Sequence, residues 1–156
     1  HSFYNTKIKD FSNKNLLSSE IGLAASYLAK NIKIRKIVDR FQRKIVKNIP
    51  KKYNGVCLDG RDITYNIMPD ANVKFYLTAS IKTRALRRTK ELKKINCNVS
   101  YNNVYESIKK RDESDFNRKI APLKITKDAH KINTTNLTIK KTFNKIKNII
   151  DKKIKK

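Results

Sequence analysis

Asn72-Val73-Lys74-Phe75-Tyr76-Leu77-Thr78-Ala79-Ser80, running straight into Ile81 and the cluster Arg84-Ala85-Leu86-Arg87-Arg88, is the stretch that decides the fold. Val73 to Leu77 is apolar and aromatic apart from Lys74, which predicts a strand, and Ser80 is suited to cap the N-terminus of a helix beginning at Ile81. A strand feeding directly into a helix is half of the repeating unit of α/β proteins. Upstream, Gly55-Val56-Cys57-Leu58 predicts a short buried strand that ends in a polar turn from Asp59 to Asp62. The stripe Ile34, Ile37, Val38, Phe41, Ile45 predicts a helix from about Lys33 to Asn48, stopped by Pro50. Ile21, Ala24, Ala25 and Leu28 predict another from Ser18 to Lys30, with Ser18 or Ser19 as its cap, and the polar residues 1 to 15 read as a loop or edge strand. Downstream, Tyr101 to Lys119 predicts a helix ended by Ala121-Pro122-Leu123. Ala129 to Ile132 predicts a short strand, and Thr138 to Ile154 a helix with Ile139, Phe143, Ile146, Ile149 and Ile150 on one face. Helix, helix, strand, strand, helix, helix, strand, helix is an order that suits an α/β domain with a parallel sheet and ligands at the carboxyl ends of its strands.

The 156 residues suit one domain or most of one, and 38% hydrophobic content is enough to build a core. The formal charge of +25 ordinarily points to a polyanionic partner. Here 29 of the 38 basic residues are Lys, in a chain also crowded with Asn and Ile, so a general compositional drift toward Lys explains much of that charge. The arginines are placed more selectively. All nine lie between Arg35 and Arg118, while the twelve basic residues from Lys119 onward are all Lys. A planar guanidinium fork is what bidentate recognition of phosphate or carboxylate requires, whereas a solvated surface accepts Lys equally well. Cys57 and Cys97 lie far apart and suggest neither a zinc site nor a disulfide framework, so a reducing cytoplasm is the expected setting. No apolar run approaches the length of a membrane span, and His1-Ser2-Phe3 shows no signal-peptide pattern. A first residue other than Met suggests a fragment or processed product with something missing upstream.

Gly55 and Gly60 have the two-glycine spacing of a phosphate loop, but the Lys and Ser or Thr that must follow are replaced by Arg61 and Asp62. Gly22 has no glycine five residues away, so residues 1 to 156 contain no such motif. Asp59 to Asp62 instead places three charges in a turn beyond a strand, where an arginine holds phosphate and a carboxylate accepts from donor groups; an ordinary surface ion pair has the same pattern. Arg84, Arg87 and Arg88 share one helical face and repel one another unless an anion lies between them. Arg111, Asp115 and Arg118 recur at i, i+4, i+7, which also fits an ion-pair ladder along a helix, and Asp112 faces elsewhere as a structural residue.

Gly60-Arg61-Asp62 with the Asn72 to Ser80 strand and the arginine cluster, then Arg111-Asp112-Glu113-Ser114-Asp115-Phe116-Asn117-Arg118-Lys119-Ile120-Ala121-Pro122-Leu123 farther on, resemble in order and spacing the core of the bacterial cytidylate kinases, members of the nucleoside monophosphate kinase family. The resemblance runs from about Ser19 to the Thr138 helix. It implies a three-layer fold of the phosphate-loop kinase type with a parallel sheet and a helical lid, here without its first strand and phosphate loop. Residues 1–156 then form one partial kinase domain: 1–50 on the monophosphate side, 51–80 as core strands, 81–119 as the lid region, 120–156 as the C-terminal strand and helix. The implied reaction transfers the γ-phosphoryl group of ATP, with Mg²⁺ as cofactor, to CMP or dCMP.

The resemblance implies Arg61, Arg84, Arg88 and Arg118 as the groups that stabilise charge in flight. It implies Ser26, Arg35 and Asp62 as the readers of cytosine, and Arg111 and Asp115 on the sugar with Arg118 on phosphate. It implies no metal ligand in this chain, no specific nucleic acid, no membrane, and a monomer. Where the family usually has Ile-Arg-Thr, this chain reads Leu16-Leu17-Ser18 and loses that arginine. With no phosphate loop in residues 1 to 156, the expected turnover of these residues alone is nil or very weak. The competing reading is a basic nucleic-acid-binding module, which needs aromatic residues interleaved with cations on an exposed face.

Overall fold

The computed structural model describes residues 19–95 and 98–154, and within its first helix the side chains of residues 19, 20, 23 and 26 are outside the described set. The loop or edge strand expected over residues 1 to 15, a cap at Ser18 and most of the turn near Asn96 likewise lie outside it. The elements in chain order are α1 (Ser19–Leu28), α2 (Ile32–Lys47), a short π-helical turn (Ile63–Ile67), β1 (Phe75–Thr78), α3 (Ile81–Lys94), α4 (Tyr101–Asn117), β2 (His130–Asn133) and α5 (Ile139–Ile154). The helices begin where local chemistry can satisfy their free N–H groups. Asn31 Oδ1 accepts from Lys33 N at 2.9 Å, Ser80 Oγ from Thr83 N at 3.1 Å, Ser100 Oγ from Asn103 N at 3.2 Å and Thr138 Oγ1 from Lys141 N at 3.2 Å.

β1 and β2 pair in parallel, with Phe75 opposite His130 and Thr78 opposite Asn133. Parallel neighbours need a long crossover, and α3 and α4 supply it. These two helices also hold the main core, where Ala85, Leu92 and Val104 are buried and Ile95, Val99, Tyr105 and Ile108 pack around them. Lys74, just before β1, is buried, and its Nζ is held by Asp128 Oδ2 at 2.6 Å, just before β2. Beyond the carboxyl end of the sheet, Arg87 donates to Thr134 Oγ1 at 3.1 Å, to the Thr134 carbonyl at 2.7 Å and to the Leu137 carbonyl at 3.1 Å. It therefore stitches α3 to the turn before α5.

Two expectations need correction. No strand forms over Gly55 to Leu58; the segment is irregular, Val56 is exposed, and the core strands expected over 51–80 reduce to β1. A strand takes its hydrogen bonds from a neighbour, and no described strand lies beside these residues, so β-forming side chains alone did not make one. The apolar face expected on α5 is covered only in part: Ile146, Ile149 and Ile150 are half-buried, whereas Ile139 and Phe143 stand exposed. The observed class is a mixed α/β fold with a two-stranded parallel sheet, consistent with the phosphate-loop kinase type.

Candidate substrate site

Gly60 begins the site because the chain turns there under a packed side chain. A Cβ at that position would stand 2.8 Å from Ile63 Cγ1, closer than non-bonded carbon atoms approach, so any larger residue would have to push the Ile63 side chain off the turn. Arg61 and Asp62 follow, and Asp62 leads into the π-helical turn, where the i→i+5 bond from Met68 N to Ile63 O is 2.8 Å.

Arg61 and Asp62 face different partners. Arg61 Nε donates to Asp115 Oδ2 at 2.7 Å. Asp115, on α4, keeps only 4% of its side chain exposed and also accepts from Arg118 Nη1 at 3.1 Å, while Arg111 Nε lies 3.9 Å from Oδ2. Three guanidinium groups thus converge on one buried carboxylate. The Arg118 side chain is itself almost covered, and its Nε donates at 2.7 Å to the carbonyl of Ala121, whose φ of 48° puts it in the left-handed region. A non-glycine residue held there turns its carbonyl back onto the arginine at some cost in backbone strain. Burial lowers the Arg118 pKa from its ordinary value and Asp115 opposes that shift, with Arg35, Asp62 and Tyr65 close enough to contribute. Tyr65, from the π-helical turn, donates to the Pro122 carbonyl of the same loop, and burial and then Asp62 raise its pKa.

Asp62 pairs with Arg35, which projects from the first turns of α2. Beside them Asn66 Nδ2 donates to Asp62 Oδ2 at 2.7 Å and to Asp39 Oδ2 at 2.9 Å. Counting both groups, the four guanidiniums of Arg35, Arg61, Arg111 and Arg118 face three buried or half-buried carboxylates, Asp39, Asp62 and Asp115, so the arrangement retains one positive charge that suits an anion. A cavity of about 460 Å³ opens beside Arg118, lined also by Lys30, Ser114, Asn117, Lys119 and Ile120. The larger cavity, about 560 Å³ between Phe41, Ile45, Pro50 and Tyr53, holds none of these arginines and is largely apolar.

Of the residues expected from the sequence, Arg61, Arg111, Asp115 and Arg118 come together in one cluster and Arg35 and Asp62 in the next. Ser26 lies on α1, its side chain outside the described set. Arg84 and Arg88 contact other carboxylates. Arg84 forms a fork with Asp112 of α4, Nη1 to Oδ1 at 3.0 Å and Nη2 to Oδ2 at 2.6 Å, and Arg88 pairs with Glu91 at 2.8 Å. The negative partners that so many cations on one helical face require are supplied here by the chain's own carboxylates for Arg84 and Arg88, and by a hydroxyl and carbonyls for Arg87. Asp112, expected to face away from the Arg111–Asp115–Arg118 cluster, pairs with Arg84 instead. Asn66, Asp39, Arg43 and Tyr65 were missed; no spacing rule connects α2 to a π-helical turn, although a carboxamide four residues after Asp62 was visible in the sequence.

An α/β fold in which one turn and two helices gather arginines around buried carboxylates has the charge and the donor geometry to hold an anion. Comparison with known proteins sharpens this: a family profile described as cytidylate kinase matches residues 3–152. The chain is 42% identical to a cytidylate kinase of Bartonella tribocorum over 86% of its own length and 62% of that protein. It is 51% identical to one of Clostridium botulinum strain Okra over 68% of the chain and 48% of the relative, and 40% identical to one of Thermosipho melanesiensis over 87% and 60%. The chain belongs to the cytidylate kinase family. It spans about half to two thirds of the length of the curated relatives it matches. None of these similarities supports the nucleic-acid-binding alternative, and among the described residues no helix is long and apolar enough to cross a membrane.

Proposed function

We propose that this chain supplies the acceptor-binding and lid portion of a nucleoside monophosphate kinase that transfers the γ-phosphoryl group of ATP to CMP or dCMP. The observation that carries the reading is the convergence of Arg61, Arg111 and Arg118 on Asp115, one residue along the chain from the Arg35–Asp62 pair. Phosphoryl transfer asks little of a protein beyond alignment and charge stabilisation, and preorganised guanidinium groups supply both. In this reading Arg61 and Arg118 hold the acceptor phosphate, Asp115 keeps them apart and aimed, and Arg111 with a remaining lone pair of Asp115 reaches the sugar. Ser26, Arg35 and Asp62 read the base.

Arg84 and Arg88 on α3 meet the transferring group, and Arg84 exchanges the fork of Asp112 for phosphoryl oxygens of similar geometry. Residues 1–50 form the acceptor side, 51–80 lead into the sheet, 81–119 form the lid and 120–156 complete the sheet and its last helix, within a three-layer arrangement. Mg²⁺ would be held largely by the donor phosphates, whose charge it would neutralise, and no residue of this chain is assigned to it. The partners are nucleotides, and the setting is the cytoplasm with the protein acting as a monomer.

The test is ATP-dependent phosphorylation of CMP, dCMP, UMP and AMP by the full-length protein that carries this chain, repeated with Arg61→Ala. The reading expects CMP and dCMP to be preferred and the variant to lose about a hundredfold in kcat/KM, the usual loss when one charge-stabilising donor is removed. Equal rates with AMP, or an Arg61→Ala enzyme as active as wild type, would overturn it.

A further inference from the structure

Asp62 is held from two sides through a single oxygen. Arg35 Nη2 contacts Oδ2, and Asn66 Nδ2 donates to the same Oδ2 at 2.7 Å. Two donors on one oxygen fix the rotation of the carboxylate and leave Oδ1 without a described partner. Asn66 is fixed in turn. Its Oδ1 accepts from Arg43 Nη2 at 3.1 Å, its main-chain carbonyl accepts from the same Nη2 at 2.6 Å, and its Nδ2 is shared with Asp39 Oδ2 at 2.9 Å. With a guanidinium on the amide oxygen and carboxylates on the amide nitrogen, the side chain has one satisfied orientation. The π-helical turn brings it there, since Asn66 N bonds the Asp62 carbonyl at 2.8 Å and stacks the two side chains.

We infer that Asn66 is a positioning residue that aims the free oxygen of Asp62 at the base, and so helps decide cytosine over uracil. The inference rests on the reading of Asp62 given above. A carboxylate oxygen accepts from the exocyclic amino group of cytosine and repels the carbonyl oxygen that uracil carries in its place. Discrimination therefore depends on that oxygen being presented rather than turned away. Asn66→Leu removes the donor at similar volume, and Asn66→Asp keeps the shape but sets a third carboxylate against Asp39 and Asp62.

The experiment measures kcat/KM for CMP and for UMP, with KM and kcat separated, on the full-length enzyme carrying Asn66→Leu, Asn66→Asp or Asp62→Asn. A ratio of two substrates on one preparation does not depend on the folded fraction, so partial unfolding does not mask the result; if one Asn66 variant fails to fold, the other decides. Each Asn66 variant is expected to lower the CMP to UMP ratio about tenfold, the size of one hydrogen bond to a charged group, chiefly through KM for CMP. Asp62→Asn is expected to lower it as well. If Asp62→Asn lowers the ratio and the Asn66 variants keep it within about twofold, or lose both substrates in parallel, the positioning role is overturned while the base-reading role of Asp62 stands. An Asp62→Asn enzyme with the wild-type ratio overturns the reading of Asp62 and this inference with it.

Discussion

Asp115 sets the terms at the scale of single residues. A buried carboxylate is tolerable because Arg61 and Arg118 bond it directly and Arg111 adds its field, and the almost covered Arg118 side chain is tolerable for the same reason. Removing one partner of such a pair leaves the other charged and unpaired in a poorly solvated place. Asp115→Ala is therefore expected to cost about 3 kcal/mol of stability, read as a lower urea midpoint at unchanged slope. Its residue type was legible in the sequence, as were Arg111 and Arg118, because helical spacing puts all three on one face. Arg61 was legible only as a charge in a turn, and its bond to a carboxylate 54 residues away was not. Asn66 was legible only as a carboxamide four residues after Asp62: its importance comes from sitting between Asp62 and Asp39, on two elements that no periodicity links.

At the scale of elements, α3 and α4 pack through the Ala85, Leu92 and Val104 core, and the Arg84–Asp112 fork spans their seam. Both side chains keep about a third of their surface or somewhat less in contact with solvent, so water competes with the pair. A double-mutant cycle on Arg84 and Asp112 is expected to return a coupling of about 0.5–1 kcal/mol, measured by denaturant unfolding. The sheet is pinned differently. The hydrogen bond from buried Lys74 holds the Asp128 carboxyl below its ordinary value. A carboxylate depressed in the folded state contributes stability that is full above its unfolded pKa, near 3.9, and is lost as pH falls through its lower folded value. Asp128→Asn is expected to reduce stability at pH 7 and to flatten its fall below about pH 4, checked by melting temperature against pH. The helices were legible in the sequence to within a few residues because caps and apolar stripes are local. The strand over Gly55 to Leu58 was not, because a strand exists only by virtue of its neighbour.

For the whole molecule, the net charge of +25 acts as a diffuse self-repulsion, since 38 basic residues outnumber 13 acidic ones. Screening shortens to roughly 10 Å at 0.1 M salt, so added salt relieves it. The melting temperature is expected to rise between low salt and about 0.3 M sodium chloride, while any retention on heparin or DNA falls away over the same range; retention that persists through it would restore the nucleic-acid reading. Exposed Phe143 and Ile139 on α5 and the absence of any fully buried residue on α2 show how thinly the described core covers these helices. The sequence by itself determined the helices with their caps, the α/β order and the two charged blocks that hold most of the site, because these depend on residues within a few positions of one another. Only the tertiary structure decided which arginine meets which carboxylate, that α3 turns Arg84 to Asp112 and Arg87 to the end of β2, and that Asn66 stands behind Asp62. Those pairings depend on how separate elements pack, and a guanidinium bonds whichever acceptor the packing brings within 3 Å.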